Sequence, residues 1–282
     1  MWNHHGIVRV PALKLREHPF AEASVSDEVL YGMEVQILGR PSPGWGLVET
    51  EYGYRGYAEL ADVDCREWGV RRWQKSSKYM VVSRGADVFD TPGYRNPCFL
   101  SLPRGSRVAF MTCEACAGWT RVRLADGRSA YMRQGQLRPA PEPLSGNDRR
   151  ALLRREGELR KRLVEAALSY LHTPYRWGGK TPWGIDCSGL CSMAYLLCGV
   201  YIWRDAKIKE GYPVREIPVC AVKPGDLLYF PGHMALYTGG LEYVHATGRS
   251  GDDGVVISSL DHRSSNYRAD LAESVLCAGT VF

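Results

Sequence analysis

The chain has 282 residues, nine cysteines and a formal net charge of +5, and 45% of its residues are hydrophobic. This length is enough for two or three domains, and the composition is ordinary for a soluble protein. The charge is too mild to require nucleic acid, and no stretch reaches the roughly 18 apolar residues of a membrane span. We therefore expect no nucleic-acid partner and no membrane, and the oligomeric state stays open.

The beginning of the chain and its cysteines bear on the compartment. The first residues, MWNHHGIVRV, lack the apolar core of a signal peptide. The odd number of cysteines, without even spacing, suits a reducing compartment. The sequence thus predicts a cytoplasmic protein, and the alternative is a secreted protein whose leader has been removed.

The first half of the chain repeats itself at an offset of 73 or 74 residues. The matched positions include Leu15 with Val88, Gly32 with Gly105, Trp45 with Trp119 and Tyr57 with Tyr131. Around them lie short runs such as YGMEVQIL and PRGSRVAF, each a plausible strand bounded by turn residues. We therefore predict two small β-barrels, at residues 1–66 and 76–139.

The segment after the repeats changes character. Residues 140–154 are interpreted as a linker, because the Pro-rich, polar stretch PAPEPLSGND runs from Pro139 to Asp148. From Arg149 to Leu171 charged and aliphatic residues alternate at helical spacing, which predicts a helix whose arginines form a solvated face. The remaining residues, 155–282, are expected to form the domain that carries the chemistry.

A metal or organic cofactor is not expected. Cys113 and Cys116 form a lone CxxC pair, and a zinc site needs a second pair at ligand spacing. We therefore interpret the two thiols as structural. No glycine-rich loop follows a strand into a helix in the pattern of a dinucleotide or phosphate site.

The stretch TPYRWGGKTPWGIDCSGL, residues 173–190, points to a nucleophile. Apolar spacing after Cys187 predicts a helix with Cys187 in its first turn and an end near Gly199. The free N–H groups and dipole of a helix N-terminus favour a thiolate, which predicts a pKa below the ordinary value of about 8.5. The pattern indicates a cysteine hydrolase, whereas Cys191 and Cys198 on the same helix are interpreted as core thiols.

Two histidines follow about fifty residues later in PGDLLYFPGHMALYTGGLEYVHATG. His233 and His245 lie in apolar runs separated by Gly239 and Gly240, a pattern typical of a β-hairpin. A three- or five-residue loop centred on Gly239 would place the histidines directly opposite each other, with about 5 Å between their Cβ atoms. A two-residue loop at Gly239 and Gly240 would put His245 on the other face.

These residue types suggest a separate catalytic role for each residue. Cys187 would attack a carbonyl carbon, His233 would take the thiol proton, and His245 would fix the orientation of His233. The backbone N–H of Cys187 and the hydroxyl of Tyr175 are the candidate donors to the oxyanion. The alternative interpretation is a buried structural thiol with two core or surface histidines.

These segments resemble the NlpC/P60 family of bacterial cell-wall peptidases. The resemblance rests on PYRWGG, GIDCSGL, PGDLLYF and the twelve-residue step between the histidines, and it covers residues 155–282. It implies a papain-like domain that cuts the γ-D-glutamyl bond to a diamino acid in peptidoglycan stem peptides. It also implies that Cys187 is the nucleophile, His233 the base and His245 the orienting residue, and that Tyr175 lines the site.

The resemblance extends to the repeats, which are similar to bacterial SH3-type (SH3b) domains. The implied fold class is α+β: two small SH3-like β-barrels followed by a papain-like NlpC/P60 catalytic domain. Asp186 and Ser188 match positions that hold the free amino terminus of the substrate. The first barrel of the resembled subgroup narrows the site to peptides with a free N-terminal L-alanine, and we assign that contact to Tyr54. The family's acidic residue after LYG is displaced here, because Met33 follows and Glu34 comes next.

The resemblance makes a peptidoglycan-derived peptide the expected partner, and murein peptide recycling the expected role. Two other functions stay open at this point. One is a papain-like amidase or acyltransferase that acts on a different acyl bond. The other is a non-catalytic wall-binding protein, which would have no need of the Cys187, His233 and His245 spacing. The third stem residue, diaminopimelate or lysine, also stays open.

Overall fold

Antiparallel strands dominate the computed structural model, which describes residues 4–111, 118–144 and 149–282. Internal contacts divide the chain into two units, Met1–Ala140 and Pro141–Phe282. The CxxC pair Cys113 and Cys116 lies outside the described residues, as does part of the interpreted linker.

Each repeat of the first unit forms a seven-stranded sheet. The first sheet contains β1 (His4–Val8), β2 (Ala12–Arg16), β3 (Val25–Leu30), β4 (Glu34–Ser42), β5 (Trp45–Thr50), β6 (Arg55–Glu59) and β7 (Val63–Asp64). The second contains β8 (Lys78–Val81), β9 (Gly85–Phe89), β10 (Cys98–Pro103), β11 (Arg107–Phe110), β12 (Trp119–Arg123), β13 (Ser129–Arg133) and β14 (Leu137–Pro139). Between the two sheets lies the short helix α1 (Glu67–Gln74).

The two sheets have the same strand order, β3-β2-β6-β5-β4-β1-β7 and β10-β9-β13-β12-β11-β8-β14. The internal repeat predicted from the sequence is therefore present in the topology. Gly32 and Gly105, which the repeat aligns, both take positive φ angles of 75° and 91°, where glycine is favoured. Within the described strands neither sheet joins its two edge strands, so the closed barrels predicted from the sequence are not observed.

One hydrophobic cluster joins the two repeats within the first unit. It contains Tyr31 from the first repeat, Trp73 from α1 and the core of the second sheet. The hydroxyl of Tyr31 accepts the N–H of Ala125 at 2.8 Å, and Nε1 of Trp73 donates to the carbonyl of Gly32 at 3.0 Å. The repeats therefore share buried contacts, while their separate boundaries at residues 66 and 76 stay a prediction.

The second unit combines helices with a six-stranded sheet. Its helices are α2 (Arg149–Arg154), α3 (Glu156–Leu168), α4 (Cys187–Leu196) and α5 (Ala269–Ala272). Its strands are β15 (Lys180–Thr181), β16 (Gly184–Ile185), β17 (Arg215–Ile217), β18 (Leu227–Phe230), β19 (His233–Gly239), β20 (Glu242–Thr247), β21 (Gly254–Ser259) and β22 (Cys277–Thr280). The sheet order is β17-β22-β18-β19-β20-β21, and the buried helix α4 packs against α3, β19 and β20.

The helix predicted for Arg149 to Leu171 is broken and shorter than expected. Arg155 leaves the helical region at φ −113°, and its N–H closes a tight turn on the carbonyl of Leu152, which ends α2. The second piece, α3, ends at Leu168. In the described part of the chain, no helix has the length and apolar character needed to cross a membrane.

The strands β19 and β20 form the predicted hairpin with a different register. Tyr237 pairs with Tyr243, so the register places His245 across from Ala235 and not from His233. The two histidines are diagonal neighbours, still within reach of each other. The prediction that they lie directly opposite is therefore wrong.

A bulge at Thr238 keeps the histidines on one face. The loop consists of Gly240 and Leu241, whose φ angles of 62° and 67° are those of a type I′ turn. A two-residue loop with this register continued along the strands would turn His245 to the opposite face. The extra residue shifts the register by one and restores the shared face.

Leu241→Gly is expected to stabilise the protein by about 1 kcal/mol, because a left-handed φ costs leucine roughly 1–2 kcal/mol and glycine much less. Leu241 is 46% exposed, so little packing is lost. Urea denaturation measures the change. Leu276→Gly is the matched control, since Leu276 is 65% exposed and has no positive φ. An equal gain in both variants would contradict this explanation.

Candidate active site

Three glycines allow the chain to fold tightly against the start of α4. A Cβ on Gly189 would lie 2.2 Å from the carbonyl oxygen of Gly179, and a Cβ on Gly179 would lie 2.5 Å from the carbonyl oxygen of Gly184. No other residue fits at Gly179 or Gly189 without moving the backbone. The glycines of the WGG and CSG segments thus allow the close backbone contacts around the start of α4. Cys187 is the first residue of this helix, in the first turn as predicted.

Asp186 caps α4 and joins it to two other segments. Its Oδ1 accepts the N–H of Gly189 at 2.6 Å, and its Oδ2 accepts the N–H of Gly178 at 2.8 Å. The guanidinium of Arg204 donates to both oxygens at 3.0 and 2.9 Å, and the hydroxyl of Ser188 donates to Oδ1 at 3.3 Å. Arg204 is only 2% exposed, so the two charges neutralise each other away from water.

The thiol of Cys187 is 7% exposed. Burial raises its pKa and the Asp186 carboxylate adds to the rise, while Arg204 and the N–H of Met234 act in the opposite direction. This direction is opposite to the lowering predicted from the helix N-terminus, and burial is its largest cause. The contact with Met234 also places the sulfur beside the residue that follows His233.

His233 and His245 form a hydrogen-bonded pair. Nε2 of His233 lies 2.9 Å from Nδ1 of His245, and Nε2 of His245 lies 3.0 Å from Oγ of Ser258. Burial, with a smaller contribution from Arg268, lowers the pKa of His233 to about 4. Burial, with smaller contributions from His233 and then Arg268, lowers the pKa of His245 to about 3. Both rings are neutral at pH 7, and Nδ1 of His233 is the nitrogen that the pair leaves for proton exchange.

Tyr175 lies beside the start of α4. A short parallel bridge joins it to Ile185, two residues before Cys187. Gly248 makes room for its ring, since a Cβ on Gly248 would lie 3.1 Å from it. Burial and the neighbouring Cys187 raise the pKa of Tyr175 to about 12, so its hydroxyl remains protonated and can donate at neutral pH.

Six of the seven predicted site residues belong to the second unit. They are Tyr175, Asp186, Cys187, Ser188, His233 and His245. Tyr54 belongs to the first unit, where it is half-buried in the turn before β6 and its N–H donates to Oγ1 of Thr50 at 3.0 Å. Its contact with substrate stays a prediction. Across the ranges that the structure describes, no three His, Cys, Asp or Glu side chains are grouped to hold a metal ion.

Three residues of this site were missed by the sequence analysis. Arg204 lies in YIWRDAK, where its place directly after an apolar, aromatic run is the only hint that it is buried. Ser258 lies in VVISS, where β-branched residues predict a strand but do not predict which strand it meets. Gly248 follows His245 by three residues, and nothing local indicates that a tyrosine ring packs on it.

A buried thiol at a helix start, beside a hydrogen-bonded histidine pair on an adjoining sheet, is the arrangement of a cysteine hydrolase. The profile of the NlpC/P60 family matches residues 172–273. The chain is 40% identical over 280 residues to the dipeptidyl-peptidase 6 of Lysinibacillus sphaericus, and the alignment covers 99% of this chain and 100% of that protein. The chain belongs to the NlpC/P60 family of cysteine peptidases.

Two further comparisons agree with this assignment. The gamma-D-glutamyl-L-lysine dipeptidyl-peptidase of Bacillus subtilis (strain 168) is 34% identical over 100 residues, which is 31% of this chain and 33% of that protein. The crystal structure of an NlpC/P60 family protein from Bacillus cereus ATCC 10987 is similar over 97% of this chain and 98% of that chain, with a TM-score of 0.76 and 18% identity. At this identity the similarity of the crystal structure establishes the fold.

Gly189→Ala is expected to lower kcat/KM at least about a hundredfold, since a misplacement of about 1 Å has an effect of this size. The added Cβ meets a backbone oxygen at 2.2 Å and must displace the start of α4. Peptide hydrolysis measures the loss of activity, and thermal denaturation measures the effect of the displacement on stability.

Gly157→Ala in α3 is the control, because no atom lies within 4 Å of its Cβ. It should keep full activity and gain about 0.5–1 kcal/mol of stability. Full activity of Gly189→Ala would contradict the requirement for glycine at this close approach to Gly179.

When the pH is lowered from 6.5 to 5, the free energy of unfolding is expected to fall by about 1–2 kcal/mol for each of the two histidines of the pair. His233 and His245 stay neutral when folded, down to about pH 4 and 3, but bind protons below about pH 6.5 when unfolded. Above pH 6.5 neither state is protonated and the contribution vanishes. Urea titrations at pH 7 and pH 5 measure it. His245→Gln should reduce the difference between the two pH values, and a difference equal to that of the wild type would refute the assignment.

Proposed function

We propose that this protein is an endopeptidase that hydrolyses the γ-D-glutamyl-L-diamino acid bond of peptidoglycan stem peptides. The observation that carries the proposal is the 2.9 Å hydrogen bond between His233 and His245 next to the buried thiol of Cys187. It is supported by the relative named gamma-D-glutamyl-L-lysine dipeptidyl-peptidase and by the dipeptidyl-peptidase related over the whole chain.

The chemistry proceeds in two steps. Sγ of Cys187 attacks the γ-carbonyl carbon of D-glutamate while Nδ1 of His233 takes the thiol proton, and that proton goes to the leaving amine as the C–N bond breaks. Water then hydrolyses the thioester, with His233 again as the base. Burial raises the pKa of the thiol and lowers that of the imidazole, which favours transfer of the proton during the attack.

The oxyanion of each tetrahedral intermediate accepts hydrogen bonds from the N–H of Cys187 and the hydroxyl of Tyr175. The N–H of Cys187 belongs to the first helical residue, where no intrahelical acceptor is available. Tyr175 remains protonated because burial raises its pKa to about 12. Loss of one such donor typically costs about a hundredfold to a thousandfold in rate.

The specificity proposed here is for a free N-terminal L-alanine. The ammonium group would be held by Asp186 and Ser188, and the assignment of Tyr54 to substrate binding is part of the same proposal. Five donors already surround the carboxylate of Asp186, and the bond from Ser188 is the longest of them at 3.3 Å. It is therefore the bond that a substrate ammonium replaces most easily.

We assign the two repeats to SH3-type domains, 1–66 and 76–139, ahead of a papain-like domain, 155–282. Their common strand order supports a duplicated module. Cytoplasmic recycling of wall peptides remains part of the same proposal. An amidase or acyltransferase acting on a different bond is the alternative, followed by a wall-binding protein.

The decisive test is mass spectrometry of L-Ala-γ-D-Glu-diaminopimelate, its lysine counterpart and their N-acetylated forms after incubation with the protein. We expect release of L-Ala-D-Glu from the free peptides, no cleavage of the acetylated ones and no activity in Cys187→Ala. Cys198→Ala is the matched control, because this buried thiol lies just beyond α4 and should be dispensable.

Each other outcome removes a specific part of the proposal. Cleavage of the acetylated peptides would remove the amino-terminal requirement. Cleavage of one free peptide alone would identify the third stem residue. An intact substrate with the wild-type protein would overturn the endopeptidase proposal in favour of the amidase, acyltransferase or binding alternatives.

A further inference from the structure

Ser258 lies at the far end of the histidine pair. In the ladder between β20 and β21 it stands opposite Tyr243, which makes it a diagonal neighbour of His245. Its Oγ is 3.0 Å from Nε2 of His245, and both residues are buried. The hydroxyl therefore ends a chain of hydrogen bonds that runs through His245 to His233.

The protons on this chain of bonds can be arranged in two ways. A neutral imidazole has one N–H and one lone pair, and a serine hydroxyl can donate or accept. If Nε2 of His245 donates to Ser258, then Nδ1 of His245 accepts from Nε2 of His233, and Nδ1 of His233 carries a lone pair. If Ser258 donates instead, each proton moves by one nitrogen and Nδ1 of His233 carries a hydrogen. Only the first arrangement lets His233 accept a proton from a thiol.

The proposed role of His233 as the base requires the first arrangement, and Tyr243 offers Ser258 a second partner that is compatible with it. The buried hydroxyl of Tyr243 has no partner at strict hydrogen-bond geometry in the described ranges. Burial raises the pKa of Tyr243 to about 12, and the nearby hydroxyl of Ser258 opposes this rise. A Ser258 hydrogen directed towards Tyr243 would leave the lone pairs of Ser258 for the N–H of His245.

We propose that Ser258 is a positioning residue which accepts the N–H of His245 and thereby fixes the tautomers of both histidines, so that Nδ1 of His233 is the basic nitrogen. Ser258 does not touch the reacting atoms and acts through His245 alone. The inference rests on the proposed role of His233 as the base. It adds a fourth residue to the Cys187, His233 and His245 set.

The direct test is the tautomeric state of His245 in the full-length protein labelled with ¹⁵N at its histidines. In the wild type, NMR should show Nε2 of His245 protonated and Nδ1 unprotonated, and the same for His233. Ser258→Ala should give a mixture of tautomers, and Ser258→Thr should restore the wild-type spectrum because threonine keeps the hydroxyl. Unchanged tautomers in Ser258→Ala would overturn the proposal.

Ser259→Ala is the matched control. Ser259 is the next residue of the same strand, and its Oγ accepts the N–H of Asp261 at 3.0 Å instead of meeting a histidine. This variant removes a buried hydroxyl from β21 without touching the pair. Its histidine spectrum should equal that of the wild type, and the same shift in both variants would assign the effect to a general disturbance of β21.

Kinetics give a second readout. Ser258→Ala should lower kcat about fivefold to tenfold, the size expected for one lost hydrogen bond, with KM unchanged. In a His245→Ala background the same substitution should have no further effect, because Ser258 acts through His245. A further loss in that background would mean a structural role and overturn the proposal. The tautomer measurement needs no substrate, so it decides the role of Ser258 even if the proposed peptide is not cleaved.

Discussion

The carboxylate of Asp186 holds three segments of the second unit together at the point where Cys187 begins α4. It binds the N–H groups of Gly178 before the helix and Gly189 within it, and the guanidinium of Arg204. A buried ion pair adds little net stability compared with apolar packing, but removal of one partner typically costs about 3–5 kcal/mol, since the other charge is left unpaired. The position of the sulfur therefore depends on the Asp186–Arg204 ion pair, in which neither residue can be removed without leaving the other charge unpaired.

The proposed site also requires that His233 and His245, on adjacent strands, share one face of the sheet. Sequence alone predicts the start of α4, because the apolar spacing after Cys187 and the glycines around it agree. It predicts the hairpin as well, since two apolar runs flank a glycine pair. The register could not be predicted, because the bulged Thr238 is an ordinary strand residue whose extra place in the ladder has no local mark. Two deviations, a two-residue loop and a bulge, cancel each other.

Contacts between residues far apart in the chain could not be predicted from the sequence either. Arg204 meets Asp186 across 18 positions and Ser258 meets His245 across 13, and no motif spans either distance. In the first unit the repeat predicts equal strand orders, because equal patterns form equal ladders. It does not predict that Tyr31 reaches across 94 positions to Ala125, a contact that ties one repeat to the other. Such contacts depend on how finished sheets pack, which strand patterns do not specify.

Burial of Cys187 has a consequence beyond the timing of proton transfer. Peroxide and alkylating agents react with the thiolate, and a rise of the pKa by burial lowers the fraction of thiolate. Burial of the sulfur is therefore expected to slow its oxidation and alkylation in a molecule that holds no substrate. With the roles proposed for Cys187 and His233, the sulfur is expected to react most readily when a bound carbonyl group shares in the proton transfer.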